Sequence, residues 1–325
     1  MPNAYPTTVT VNVGALSIED VVAVARYGAQ VEIAPEALEE VAATRERVEE
    51  LAQDPTPVYG ISTGFGALAR RHIPEEMRAQ LQLSLVRSHA AGTGPEVEEE
   101  VIRALMLLRL STLCTGRTGV RPVVVETYAK ALNAGIVPVV REYGSLGCSG
   151  DLAPLAHCAL ALLGEGEVRV NGKLQDAGEA LAAAGIEPLQ LREKEGLALI
   201  NGTDGMLGQL CLAITDLRAA AKTADIATAM TVEGLLGTLV VFADDLQQLR
   251  PHPGQADAAA NILQVAEGSE ILEAALEEFK KNQVQDAYSV RCAPQVAGGF
   301  RDTLTHTAQV AERELAAAVD IPVVT

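Results

Sequence analysis

The sequence lacks tryptophan and contains only four phenylalanines and six tyrosines, so aromatic residues make up 3% of its 325 positions. Apolar residues nevertheless reach 48%. The core must therefore consist of Ala, Leu and Val rather than of large rings, and this composition favours helices in close contact. We expect a mainly α protein, and the length suggests about two domains.

Basic residues are also scarce, with 25 Lys and Arg against 43 Asp and Glu and a formal net charge of -18. Such a surface repels nucleic acids and anionic membranes. The longest apolar runs, such as residues 234–243, are shorter than the roughly 20 residues that cross a bilayer. The opening residues lack the basic and apolar regions of an export signal. These absences predict a protein that acts on a small molecule, without a nucleic-acid or membrane partner.

The cysteines are few, odd in number and scattered, and none forms a Cys-x-x-Cys pair. This pattern favours neither a disulfide framework nor a zinc site, so we expect a reduced cytoplasmic protein without a metal. The cysteines are Cys114, Cys148, Cys158, Cys211 and Cys292.

Hydrophobic periodicity predicts helix over most of the chain. Ser17 to Asp20 is typical of a helix start, and Asn171-Gly172 predicts the turn of a small hairpin. Two prolines and several glycines predict an ordered loop at residues 55–66. The other predicted elements are a strand at 7–13 and helices at 35–53, from 75 onward, at 96–114, at 122–134 and at 204–249.

The predicted helix at 204–249 is apolar on more than one face and is interrupted only by glycines that a helix tolerates. Such a helix has to be buried on more than one side, which a monomer of this size rarely achieves. The sequence therefore predicts a homo-oligomer.

The most unusual segment is GSLGCSGDLAPL, in which three glycines fall within seven residues before a predicted helix. We expect Asp151 to be the N-cap of that helix, whose N-terminus favours negative charge. In a compressed turn, the Gly150 nitrogen can attack the Cys148 carbonyl, and dehydration of Ser149 then gives an electrophile. The alternative is an ordinary turn and helix cap. A hydrolase elbow requires a second spacer residue that Gly147-Cys148-Ser149-Gly150 lacks.

This segment resembles the signature of the histidine and aromatic amino acid ammonia-lyases. Four further segments resemble the same family in the same order: VYGISTGFG, LVRSHAAGTGP, EGLALINGTDGM and QVQDAYSVRCAPQV. The resemblance covers essentially the whole chain. It implies that Cys148, Ser149 and Gly150 cyclise to methylidene-imidazolone, with no metal, nucleotide or added organic cofactor.

The resemblance also implies roles for other residues. Tyr59 and Tyr288 match active-site tyrosines that are candidates for removing the β-proton of the substrate. Asn201 matches an asparagine that contacts the electrophile, Gln285 a neighbouring polar group, and Arg291 an arginine that binds the substrate carboxylate. A planar guanidinium suits a carboxylate because it donates two parallel hydrogen bonds.

His89 followed by Ala90 resembles the histidine-specific branch of the family, and this pair implies conversion of L-histidine to trans-urocanate and ammonia. Without the resemblance, a lone histidine on an apolar helix is more commonly a satisfied core residue. That interpretation is kept for the remaining histidines, which are His72, His157, His252 and His306.

The implied architecture is an α-rich N-terminal domain with minor β at residues 1–200, followed by a long-helix bundle region at 201–325 that assembles as a homotetramer. The family continues beyond AERELAAAVDIPVVT, where Ile321 replaces the usual asparagine. A glutamate that helps define specificity belongs to that later part. The alternatives are therefore a tyrosine or phenylalanine ammonia-lyase or aminomutase, or a truncated, catalytically silent fragment.

Overall fold

A computed structural model of the chain describes residues 5–282, 284–320 and 322–324. The side chains of residues 278–282 are outside this description, and so is Ile321, the position at which the sequence departs from the family.

Helices dominate the described residues, as the composition predicts. They are α1 (Ile18–Tyr27), α2 (Pro35–Gln53), α3 (Glu75–His89), α4 (Glu99–Cys114), α5 (Pro122–Asn133), α6 (Leu152–Leu162), α7 (Ala177–Ala183), α8 (Glu195–Ile200), α9 (Asp204–Gly234), α10 (Asp244–Gln247), α11 (Pro253–Val265), α12 (Glu270–Asn282), α13 (Tyr288–Arg291) and α14 (Ala293–Leu315).

The strands are short and lie in the N-terminal part of the chain. They are β1 (Thr8–Val11), β2 (Gln30–Ile33), β3 (Thr93–Glu96), β4 (Ile136–Pro138), β5 (Arg141–Tyr143), β6 (Glu167–Val170) and β7 (Lys173–Asp176). β1 and β2 pair in parallel, β3 and β5 pair antiparallel, and β4, β6 and β7 form an antiparallel sheet. The predicted fold class, mainly α with minor β, is confirmed.

Local chemistry explains several of the predicted boundaries. Ser17 and Asp20 form a reciprocal capping box at the start of α1. Pro35 opens α2, where its missing N–H is not needed. Asn171 and Gly172 both have positive φ, as a two-residue hairpin turn between β6 and β7 requires.

The predicted continuous helix at 204–249 is wrong beyond Gly234, where α9 ends. Leu236 has a φ of 53°, and the Thr238 N–H donates to the Asp286 carboxylate at 2.9 Å. A Cβ on Gly237 would lie 3.1 Å from the same carboxylate. A contact between segments about 50 positions apart stops the helix, and periodicity along one segment does not reveal such a contact.

The chain divides into two compact units, the first Met1–Leu212 with Ala311–Thr325 and the second Ala213–Val310. In the first unit α4 is the central helix, because nearly every residue from Ile102 to Cys114 is buried. In the second unit, Val232, Phe242 and Ile262 belong to a separate core. The division into domains at residues 1–200 and 201–325 remains a prediction. The compact units have other bounds, because the first turns of α9 and the end of the chain belong to the first unit.

One apolar segment, Glu195–Gly234, is long and apolar enough by composition alone to cross a membrane, with a mean hydropathy of 1.3 in its best window. Polar residues interrupt this segment, so the sequence shows no uninterrupted apolar run of that length there. However, 56% of that window is buried within the protein. Burial of this extent is typical of the core helix of a soluble protein, and we assign the segment to the core.

Candidate active site

A cavity of about 430 Å³ in the first unit contains three of the predicted site residues. It is lined by residues from the 59–66 loop, the C-terminal half of α3, the start of α6 and the end of α8. The lining residues are Tyr59, Phe65, Gly66, Leu85, His89, Leu152, Leu197, Ile200 and Asn201. The structure thus brings Tyr59, His89 and Asn201 together from segments that are up to 142 positions apart.

The loop that carries Tyr59 packs tightly against α8. Gly60 has a φ of 73°, and a Cβ there would lie 2.7 Å from the Leu197 side chain. The buried side chain of Gln82 accepts a hydrogen bond from the Leu197 N–H at 3.1 Å and donates to the Gly60 carbonyl at 3.4 Å. The edge of the Tyr59 ring meets Phe65, with ring centroids 6.1 Å apart. These contacts fix the tyrosine at the cavity wall.

His89 is the last residue of α3, and its ring is oriented by its own helix. Its Nδ1 lies 2.8 Å from the Leu85 carbonyl oxygen. Because a carbonyl oxygen only accepts hydrogen bonds, Nδ1 carries the proton and Nε2 is left as an acceptor. The ring that lines the cavity can therefore accept a hydrogen bond from a ligand N–H.

Asn201 follows the last residue of α8 and is held from two sides. Its carbonyl oxygen accepts a hydrogen bond from the fully buried guanidinium of Arg109 at 2.9 Å. Its side-chain nitrogen donates to the Asp320 carboxylate at 3.1 Å. Asp320 in turn forms an ion pair with Lys194 at 2.6 Å, with both side chains fully buried. The side-chain amide is therefore oriented by Asp320, while Arg109 of α4 holds the backbone of Asn201.

Cys148 and Ser149 lie in a single 3₁₀ turn, Gly147–Ser149, shortly before Leu152 of the cavity wall. The Gly150 N–H donates to the Gly147 carbonyl at 2.8 Å, and Gly150 has a φ of 113°, which strongly favours glycine. The next residue, Asp151, donates its N–H to the Gly202 carbonyl at 2.7 Å, and Leu152 lines the cavity. A tight turn with an unhindered glycine nitrogen fits the cyclisation that the resemblance implies.

Asp151 is the N-cap residue of α6, as expected, although its side chain makes no hydrogen bond to that helix. Instead, its two oxygens accept hydrogen bonds from the Ser145 hydroxyl at 2.5 Å and from the Met206 N–H at 2.9 Å. The carboxylate therefore accepts hydrogen bonds from the first turn of α9 and from the loop before the 3₁₀ turn, because the Met206 N–H and the Ser145 hydroxyl lie next to it in the folded chain.

Gln285, Tyr288 and Arg291 belong to the second unit, at the start of α13. The Arg291 guanidinium lies over the Tyr288 ring, 4.2 Å from its centroid, and Tyr288 is exposed. Gln285 is exposed as well, in the segment that Asp286 ties to Thr238. Arg291 and Tyr288 are therefore in contact, and Gln285 lies three residues before Tyr288 in the same unit.

Sequence reasoning missed the buried polar residues that position the site, which are Gln82, Arg109, Lys194 and Asp320. Only Arg109 gave a signal, since it interrupts the apolar run ALMLLRLSTL in α4. A charged residue in such a run is rarely buried without partners. Arg109 binds the Ala198, Asn201 and Val319 carbonyls and pairs with Asp204 at 3.1 Å.

The helical fold, the Cys-Ser-Gly turn and the cavity lined by Tyr, His and Asn are together the combination that the resemblance implies for an ammonia-lyase. A sequence profile of the aromatic amino acid lyases matches residues 16–325. The chain belongs to this family.

Its relatives include histidine ammonia-lyases of Streptomyces coelicolor, 61% identical over 98% of this chain, and of Gloeobacter violaceus, 46% identical over 95%. The chain spans 62% and 60% of their lengths. Among solved structures, a tyrosine aminomutase of Streptomyces globisporus superposes with a TM-score of 0.90 at 39% identity, covering 97% of this chain and 62% of that one. A histidine ammonia-lyase of Trypanosoma cruzi superposes with a TM-score of 0.86 at 37% identity, covering 98% and 58%.

Proposed function

We propose that the protein is an ammonia-lyase that converts L-histidine into trans-urocanate and ammonia. The observation that carries the proposal is the cavity that gathers Tyr59, His89 and Asn201, and whose lining residue Leu152 lies two positions after the Cys148–Gly150 turn. The names of the relatives at 61% identity support the same substrate. The cavity volume of about 430 Å³ is within the range of small-molecule sites.

The methylidene-imidazolone that Cys148, Ser149 and Gly150 would form supplies an electrophile for the substrate amine and so improves a poor leaving group. The phenolate oxygen of Tyr59 or of Tyr288 takes the β-proton. The guanidinium of Arg291 binds the substrate carboxylate. Asn201 provides polar contacts that orient the reacting groups, and Gln285 is a further candidate for a polar contact to the substrate.

His89 gives the proposed site its preference for an imidazole substrate. Its Nδ1 is committed to the Leu85 carbonyl, so its Nε2 accepts the N–H of a neutral imidazole. A phenyl ring offers no such donor and would leave this half-buried acceptor without a partner in the cavity.

The second candidate is a tyrosine or phenylalanine ammonia-lyase or aminomutase. The TM-score of 0.90 with a tyrosine aminomutase favours it, because an enzyme of that name has the same fold. Comparing histidine, tyrosine and phenylalanine as substrates at equal concentrations separates the two. Urocanate from histidine alone supports the first proposal, and a cinnamate, a coumarate or a β-amino acid supports the second.

The decisive experiment combines urocanate absorbance with the intact mass of the purified protein. We expect urocanate to accumulate with L-histidine and the mass to be lower than the sequence mass by two water molecules. Ser149→Ala is expected to remove activity and the second water loss. A folded wild-type protein of full sequence mass that makes no urocanate would instead identify a catalytically silent fragment.

For the assembly we propose a homotetramer, and for the compartment the cytoplasm. The five cysteines, all within the described residues, form no disulfide, which supports a reducing compartment. Burial raises the pKa of the Cys114 and Cys211 thiols to about 12, so these thiols are neutral and unreactive.

A further inference from the structure

The loop from Ser145 to Asp151 is closed by hydrogen bonds at both ends. The Leu146 N–H donates to the Gly150 carbonyl at 3.0 Å, so the residues near the two ends of the loop face each other. The Asp151 N–H donates to the Gly202 carbonyl at 2.7 Å, which anchors the exit of the loop to the segment after α8. The backbone between these anchors has little room to relax.

Ser145 is the side chain that links the entrance of this loop to its exit. Its hydroxyl donates to an Asp151 carboxylate oxygen at 2.5 Å and accepts a hydrogen bond from the Gly147 N–H at 3.1 Å. One oxygen atom thereby contacts the residue that begins the 3₁₀ turn and the residue that follows Gly150. A short hydroxyl–carboxylate bond is among the stronger hydrogen bonds in proteins.

The partner carboxylate is itself fixed. Asp151 is buried, and its second oxygen accepts the Met206 N–H in the first turn of α9 at 2.9 Å. A Cβ on Gly205 would lie 3.1 Å from the same oxygen, so the helix approaches the carboxylate closely. Ser145 therefore donates its hydrogen bond to a carboxylate that is itself held by the first turn of α9.

We infer that Ser145 is a positioning residue for ring closure: it holds the turn compressed so that the Gly150 nitrogen stays against the Cys148 carbonyl carbon. This inference rests on the proposed function. In the reaction, the nitrogen bonds to that carbon, and the carbonyl oxygen leaves as water with the amide protons of Ser149 and Gly150. Ser149 then loses its hydroxyl and its α-proton as a second water. No oxidant or reductant is needed.

The test measures how fast the two waters are lost. Wild type, Ser145→Ala, Ser145→Thr and Thr223→Ala are purified at successive times after a short pulse of synthesis, and the intact mass gives the cyclised fraction. Thr223 is a matched control, since its exposed hydroxyl bonds only to its own helix at Ala219. The melting temperature of each variant shows whether it is folded.

We expect Ser145→Ala to fold and to lose water about tenfold more slowly than wild type, because one hydrogen bond that holds the reactive geometry is gone. Ser145→Thr keeps the hydroxyl and should react at the wild-type rate, as should Thr223→Ala. Equal rates for Ser145→Ala and wild type would overturn the inference, and so would a Ser145→Thr protein as slow as Ser145→Ala. A wild-type mass that retains both waters would refute the proposed function itself.

Discussion

At the scale of single residues, Lys194 occupies an energetically costly place in the first unit. It has a φ of 66°, which is unusual for a lysine, and its ammonium is fully buried against Asp320. Burial lowers the pKa of Lys194, and the Asp320 carboxylate opposes that shift. Because Asp320 also accepts a hydrogen bond from Asn201, the residue that neutralises the ammonium also orients an amide in the cavity wall.

Replacing Asp320 by Asn is expected to lower the free energy of unfolding by about 3 to 5 kcal/mol, since it leaves the ammonium buried without a counter-charge. Urea denaturation measures this change, with the exposed Asp257→Asn as a control of equal charge change. The double variant Lys194→Met with Asp320→Asn should recover part of the loss, because it no longer buries a charge. Identical urea midpoints for the Asp320→Asn and Asp257→Asn proteins would show that the ion pair does not stabilise the fold.

At the scale of elements, the sequence predicted what depends on local chemistry. α2 has the predicted bounds, the capping box begins α1, and Asn171-Gly172 turns the hairpin. The end of α9 and the true partners of Asp151 escaped prediction because groups distant in sequence determine them. For the same reason, three residues of the candidate site could be proposed from motifs, while the buried partners that orient them could not.

The contact between α6 and the segment that precedes β3 gives a prediction about pH. His157 of α6 accepts the Gly92 N–H at its Nε2, 3.2 Å away, which requires a neutral ring. Burial, and then the nearby Arg141, lower the pKa of His157 below 6.5 in the folded protein. The folded state thus binds fewer protons than the unfolded state, so the stabilisation is complete above pH 6.5 and is lost as the pH falls through the folded pKa.

Melting temperatures measured from about pH 8 to about pH 5 check this contribution. The wild-type protein should lose more stability below pH 6.5 than His157→Gln, whose amide keeps an acceptor but does not titrate. Because the other histidines are present in both proteins, the difference between the two curves isolates His157. Parallel curves over the whole range would be inconsistent with a neutral His157 in the folded state.

At the scale of the whole molecule, apolar side chains remain exposed on the long helices of the second unit. Met230 on α9 is 66% exposed and Val296 on α14 is 76% exposed. A net charge of -18 opposes association, so apolar contact has to outweigh repulsion if copies of the chain assemble. Exposed apolar side chains of this size are the groups that an oligomer interface buries.

We therefore expect the protein to form an oligomer. Its dissociation on dilution can be followed by sedimentation velocity. The double variant Met230→Gln with Val296→Thr removes apolar surface without altering the charge, and it should raise the dissociation constant at least about tenfold. Val13→Thr provides the control, since Val13 is an exposed apolar residue of the first unit, outside the long helices. High salt should strengthen association in all three proteins, because it screens the shared negative charge. An unchanged dissociation constant in the double variant would place the interface elsewhere, because a buried contact that loses two apolar side chains is weakened.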